Sequence, residues 1–287
     1  MSYISFAWIA SILLGVEAFL GKLTSKYTIK NPWLFSFVWS FIILIFTAVP
    51  ALYNHVGLPV MWGNLTLAAL FYALSGVFYP LAIYALDVTV LSPLWNFRTV
   101  FSVILGGIML GQILTVHQYV LIGVIFVAGF FVSLDEHLSA RSFFHSSILI
   151  AMTEMVIVAL FGIYINKSIA ENGFWATSFW VALVAQVMLL VIIPKFWRDI
   201  RKISVKQIGS LSAMSVVGSI GQLAANASYA GNVGIAATII SLPISMIFAF
   251  FFAIFAPKLL EKHTMKIYAI RFSAAAVMFI AALKLTS

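Results

Sequence analysis

The sequence predicts an all-α membrane protein of ten transmembrane helices, arranged as two inverted five-helix repeats. Three observations predict it. Only 8% of the 287 residues are charged and 63% are hydrophobic, with a mean hydropathy of +1.12. A soluble domain carries roughly 25% charged residues, so this chain has too little polar surface for water, and the bilayer is its solvent. Second, apolar runs of spanning length, about 20 residues, follow one another along the whole chain. Third, one pattern of two long apolar runs about a short polar hinge occurs twice, from Ser92 to Val132 and from Ala236 to Leu285. A recurring hairpin in so apolar a chain points to internal duplication.

The spans follow in order. Ile4–Leu23 is the first; no basic stretch precedes it and no small-residue cleavage signal follows, so it is expected to stay as a helix. Pro32–Leu52 is the second, with proline in the first turn, where its missing N–H breaks no bond. Leu65–Leu86 and Leu91–Leu110 are the third and fourth, separated by DVTV, and His117–Leu134 is the fifth. The polar segment DEHLSARSFFHSS, Asp135 to Ser147, is the expected linker between a first repeat, 1–134, and a second, 148–287. Ile148–Asn166 and Thr177–Ile193 are the sixth and seventh spans, followed by the most basic stretch of the chain, Lys195 to Gln207. Ile208–Ala230, Ile235–Phe255 and Met265–Leu285 complete the set.

A shift of 145 residues lays the halves over one another. It puts Tyr84-Ala85 on Tyr229-Ala230, Gly76 on Gly221, Lys22 on Lys167 and Arg98 on Pro243. Five spans per half is an odd number, so the second half enters the membrane from the opposite side. An inverted repeat of this kind supports alternating access around a central site.

Charge sets the orientation. The net charge of +8 does not imply nucleic acid, because the basic residues cluster in short loops between spans. The loops after the first, fifth, seventh and ninth spans hold Lys26, Lys30, Arg141, Lys195, Arg198, Arg201, Lys202, Lys206, Lys258 and Lys262. The opposite set holds little beyond Lys167 and Lys284. The positive-inside rule then places both termini outside.

The hairpin LSPLWNFRTVFSVILGGIMLGQILTVHQYVLIGVIFVAG resembles the EamA-type hairpin of the drug/metabolite transporter superfamily. The residues that carry the resemblance are Leu110-Gly111-Gln112, Leu114-Thr115, Gln118, Gly123 and Gly129. This chain departs from the family pattern in three places. Gln112 stands for the usual glutamate, Arg98 lies where small or apolar residues are common, and the loop YNHVGLPVMWGN is uncharged. The resemblance implies transport of a small metabolite, often export, and leaves the substrate open.

Ionisable residues inside spans are costly to bury and mark function by default. Glu17, Arg98 and Glu154 each lie about six or seven residues from the basic end of their span. At 1.5 Å per residue all three sit roughly 10 Å deep, which allows one shared polar site. Each has a competing structural role: Arg98 as a residue reaching to the interface, Glu17 in a pair with Lys22 one turn on, and Glu154 in a pair with a neighbouring helix. Arg271, near the basic end of the tenth span, is expected to reach to the interface. A second layer of neutral groups comprises Asn96, Ser241, Pro243, Ser245, Ser215, Ser219, Gln222 and Asn226, whose alternative role is packing between helices. Trp95, Tyr79, Tyr84 and Tyr229 are candidates for an aromatic lining.

Signatures of HExxH, GxSxG or Walker type are missing, as is a paired-aspartate motif. There is no cysteine, and all five histidines lie in loops or at span ends, so neither a metal site nor a cofactor is expected. The sequence therefore favours a secondary transporter in the cytoplasmic membrane of a prokaryote. Its expected partners are a small-molecule metabolite, protons and the lipid bilayer, and it is expected as a monomer or homodimer. A membrane enzyme acting on lipids would need interfacial carboxylate or histidine clusters. A receptor or assembly protein would need no inverted repeat.

Overall fold

A computed structural model of the protein describes residues 2–86, 91, 94–132, 146–255 and 265–286, and among these residues the regular structure is helical throughout. Six of the helices are long and apolar enough to cross a membrane, as in a multi-pass membrane protein. They are α1 (Tyr3–Tyr27), α2 (Pro32–Tyr53), α3 (Gly63–Ala85), α6 (Ser146–Asn172), α7 (Phe174–Met188, continued by a 3-10 segment, Leu189–Lys195) and α8 (Val205–Tyr229). Shorter apolar helices are α4 (Phe97–Leu110), α5 (Val116–Val132), α9 (Val233–Ile240) and α10 (Ile244–Phe255); α11 spans Met265–Thr286.

Local chemistry sets the helix starts. Ser2 accepts the Ser5 N–H at the head of α1, and Asn31 accepts those of Trp33 and Leu34 with Pro32 beside it. Ser204 and Gln207 form a reciprocal capping box on α8, and Asn232 accepts the Ile235 N–H on α9. Such caps satisfy donors that have no partner within the helix. At the end of α4 Gly111 takes a left-handed conformation, φ 64°, and the Gln112 N–H returns to the Gly106 carbonyl at 3.1 Å.

Where the expected spans differ from these helices, backbone hydrogen bonding gives the reason. The fourth span is not one helix from Leu91. Its chain turns at Trp95 and Asn96, where the Arg98 and Thr99 N–H groups bond to carbonyls three residues back, at 3.1 and 3.0 Å. The ninth span is broken at Ser241 to Pro243, because proline has no N–H to give and Leu242 bonds three residues back, to Ile239. Pro50 and Pro80, by contrast, sit inside helices that continue past them. The sixth span extends to Asn172, beyond the expected Asn166. Of the expected linker, residues 135–145 lie outside the described residues, while Ser146 and Ser147 already belong to α6. Arg271 does not reach the interface: it is 1% exposed and among the largest fully buried side chains, six residues into α11.

The helices of the two halves interleave. The closest pairings are α1 with α8 and α3 with α6, followed by α5 with α11 and α3 with α7. Further contacts join α2 to α8, α4 to α6, α1 to α9 and α4 to α9. Small residues permit the tightest crossings. A side chain at Gly15 would meet Ile244 Cβ at 2.8 Å, and one at Gly221 would meet Leu14 Cδ2 at 3.0 Å.

Candidate functional site

A cavity of about 100 Å3 lies near mid-length of the bundle, bounded by α1, α2, α3, α4, α6, α8 and the break after α9. Glu17, Arg98 and Glu154 all line it, together with Gln222 and Tyr79. Five of the residues singled out by sequence therefore share one wall system. Trp95 and Tyr229 line it as well, whereas Tyr84 instead donates its hydroxyl to the Ile29 carbonyl at 2.6 Å.

Each charged group is held differently. Glu17, 4% exposed, accepts the Trp39 indole N–H on Oε1 at 2.8 Å. Lys22 turns away from it and donates to the Ile83 and Leu86 carbonyls at the end of α3, at 3.0 and 2.7 Å. Glu154, 2% exposed, accepts the Ser75 hydroxyl on Oε1 at 2.7 Å, while its Oε2 is buried without a hydrogen-bond partner. Arg98 Nε is buried without one too. An aromatic wall completes the cavity: Tyr79 packs between Trp39, ring centroids 5.3 Å apart, and Trp95, 6.1 Å apart.

Three expected site residues lie elsewhere. Asn96 packs away from the cavity against Gly129, with its amide nitrogen 3.9 Å from Met278 Sδ. Asn96 lies in the turn before α4 and Arg98 in its first turn, and only Arg98 lines the cavity. Ser241 returns its hydroxyl to the Ala237 carbonyl at 2.6 Å, and Ile240 and Leu242, not Ser241 or Pro243, line the cavity from the ninth-span break. Gln222 binds Asn226 at 2.9 Å, and Asn226 in turn donates to Ser178 at 3.3 Å. Sequence reasoning missed Trp39 and Ser75, the donors to the two glutamates; their signal was an indole and a hydroxyl in mid-span, away from the interfacial belt.

Polar contacts join the helices at both ends of the bundle. At the end where α1 finishes, Gln207 donates to the Thr28 carbonyl at 3.0 Å, and Asn31 donates to the Lys195 carbonyl at 3.2 Å and to Asp199 at 2.6 Å. At the end where α1 begins, Asn172 exchanges hydrogen bonds with the Met61 backbone at 2.8 and 2.9 Å, and Asn64 donates to Glu171 at 2.5 Å. Trp180 donates to the Gly57 carbonyl at 2.8 Å, and Asn166 to that of Tyr229 at 2.7 Å. All but the last of these join a first-half element to a second-half one.

A larger groove of about 830 Å3 runs between α5 and α11, lined by residues such as Val120, Val124, Val127, Ile270 and Val277. Among the described residues no ionisable group lines it. The charged cavity is therefore the candidate site.

The fold and site describe a helical, multi-pass membrane protein with a cavity lined by ionisable residues within the helix bundle. No family model matches the sequence, and no curated protein matches it. Among solved structures, one protein crystal structure aligns over 97% of this chain and 99% of its own length, with a TM-score of 0.65 and 13% sequence identity. At that identity the similarity is one of fold.

Proposed function

We propose that this protein is a secondary transporter of the EamA type, carrying a small polar or amphipathic metabolite by alternating access across the cytoplasmic membrane. One observation carries the reading: Glu17, Arg98 and Glu154, on helices from both halves, line one cavity within the bundle. Buried charge at that depth has no packing purpose that an apolar side chain would not serve better.

Two further observations support it. The 145-residue shift lays the turn at Trp95–Asn96 on Ile240–Ser241, so that the two helix breaks meet at Asn96 and Ser241, and Arg98 and Leu242 near them line the cavity. Paired interrupted helices at corresponding positions are the usual pointer to a transport site. The pairing pattern of α1 with α8 and α3 with α6 is what two inverted five-span repeats require. Hydrogen bonds join first-half and second-half elements at both ends of the bundle, and alternate breaking of these two sets of contacts would open the cavity to either side.

The test is flux. Protein reconstituted in liposomes should move some small metabolite from a labelled mixture across the bilayer, and Arg98→Ala should abolish that movement. Liposomes no more permeable than protein-free ones to every class of small polar metabolite would overturn the reading.

A further inference from the structure

We propose that the segment from Lys195 to Lys206, which joins α7 to α8 across the start of α2, is a binding site for an anionic phospholipid. Its basic side chains hold the headgroup phosphate, and exposed apolar side chains just before it take an acyl chain.

The segment is two-sided. Phe196 is buried against Phe37 of α2, ring centroids 5.2 Å apart, and Asn31 donates to the Lys195 carbonyl and to Asp199, at 3.2 and 2.6 Å. The Asp199 and Ile200 N–H groups bond to the Phe196 carbonyl, at 2.8 and 3.1 Å, and close one helical turn over Trp197–Ile200. The outer side is basic: Lys195, Arg198, Arg201, Lys202 and Lys206 are all exposed. Arg201 and Lys202 follow Arg198 by three and four residues, the spacing that gathers side chains on one side of a helical turn. The Arg201 guanidinium lies over the Trp197 ring, four residues back, 5.1 Å from its centroid. Asp199 is the one acid in the segment, and its carboxylate already accepts the Asn31 amide. Five cations against one acid leave this surface strongly positive.

The neighbouring side chains select a lipid over a soluble polyanion. Val187, Leu190 and Val191, again three and four residues apart, are 59, 48 and 80% exposed just before the cations. A nucleic acid or an acidic protein would leave that apolar surface uncovered, whereas a lipid lays a chain on it while its phosphate meets the cations. Tryptophan is favoured at the membrane–water boundary, and two stand here: Trp197, half exposed, and Trp33, with Lys195 Nζ 6.0 Å from its ring. The opposite end of the bundle differs. Its loop at 54–62 exposes Leu58, Val60 and Met61 but contains no lysine, arginine, aspartate or glutamate. The cations are therefore not a general consequence of leaving a bilayer. An arginine fork matches phosphate oxygens in two places, and basic clusters beside spanning helices attract anionic headgroups. A zwitterionic headgroup brings its own cation into the same field, so net charge decides the preference.

The assignment stands apart from the transport reading, and its test uses no flux. Phosphatidylglycerol and phosphatidylcholine with identical acyl chains are titrated onto the purified full chain in detergent, and bound lipid is counted by native mass spectrometry. Phosphatidylglycerol should bind about tenfold or more tighter. Arg201→Gln combined with Lys202→Gln should remove most of that preference. Lys258→Gln combined with Lys262→Gln takes the same charge from another basic loop and should leave the preference in place. Glycerophosphoglycerol, the same headgroup without chains, should not displace the lipid at equal concentration. The wild-type lipid series decides even where a variant fails to fold. Equal binding of the two lipids, displacement by the chain-free headgroup, or an unchanged preference in the Arg201 and Lys202 double variant overturns the proposal. Equal loss in both double variants overturns it too, because the attraction would then follow charge anywhere on the chain and not this segment.

Discussion

The Glu17 carboxyl occupies the space that a side chain at Gly218 would fill. A methyl group there would overlap Glu17 Oε1, so α8 can lie against α1 at this level only because position 218 is glycine. The carboxyl is thereby clamped between the α8 backbone and the Trp39 indole, 2.8 Å away.

Gly218→Ala should therefore expel the carboxyl from its seat. The overpacking costs about 1–3 kcal/mol, and gradient-driven flux should fall with it. Thermal unfolding in detergent and flux in liposomes check the two effects together. A variant with wild-type melting and flux would mean that the carboxyl position is not fixed by this contact.

Glu17→Gln should remove the dependence of transport on a proton gradient and leave solute exchange partly intact. The amide keeps the shape and the acceptor for Trp39 but carries no exchangeable charge. Counterflow and gradient-driven uptake, measured side by side, separate these functions. Unchanged response to the gradient, at normal expression, would assign Glu17 a packing role.

Arg98 and Glu154 should be energetically coupled although neither satisfies the other's spare atom. Arg98→Ala leaves the buried Glu154 without its nearby positive charge and should destabilise the protein; adding Glu154→Ala should recover part of the loss. The coupling in a double-mutant cycle is expected at about 0.5–3 kcal/mol. Strict additivity would show that the two charges do not sense one another.

Lys22→Met should loosen the end of α3. It keeps the length of the side chain and removes the donor to the Ile83 and Leu86 carbonyls. Each carbonyl left without a partner costs about 1–3 kcal/mol, so the melting temperature should drop, and Lys22→Arg should restore part of it. Hydrogen exchange localised to Ala82–Leu86 would show whether the loss is at that helix end.

The loop charges predict that both termini face outside. A fluorescent protein that matures only in the cytoplasm should stay dark when fused after Ser287. A bright fusion would reverse the orientation and leave the cavity geometry unchanged.

Much of this was legible because it is local. The apolar runs, the Asn31-Pro32 start and the Ser204-to-Gln207 capping box are written in adjacent residues, and so the helices Pro32–Tyr53 and Val205–Tyr229 fall close to their expected places. Depth counting brought Glu17, Arg98 and Glu154 to one level, and the structure has them in one cavity. What escaped is what depends on rotation and on distant partners. Asn96 is grouped with Arg98 by proximity in sequence, although the turn before α4 packs Asn96 against Gly129 and only Arg98 lines the cavity. Trp39 and Ser75 reach their glutamates from positions 22 and 79 residues away in the chain, a relationship no window of sequence contains. Arg271 was read by its closeness to a helix end, but packing around α11 buries it instead.

The contacts at the two ends of the bundle have a genetic consequence. Gln207, Asn172, Asn166 and Trp180 donate to main-chain carbonyls, those of Thr28, Met61, Tyr229 and Gly57, whereas Asn31 and Asn64 also donate to the side chains of Asp199 and Glu171. A carbonyl is supplied by any amino acid. The carbonyl-bound contacts are thus asymmetric under mutation: the donor side depends on one particular side chain, while the acceptor side can drift in identity without losing the bond. A saturation scan should find intolerance concentrated on the donor positions and near-silence at exposed acceptors such as Gly57.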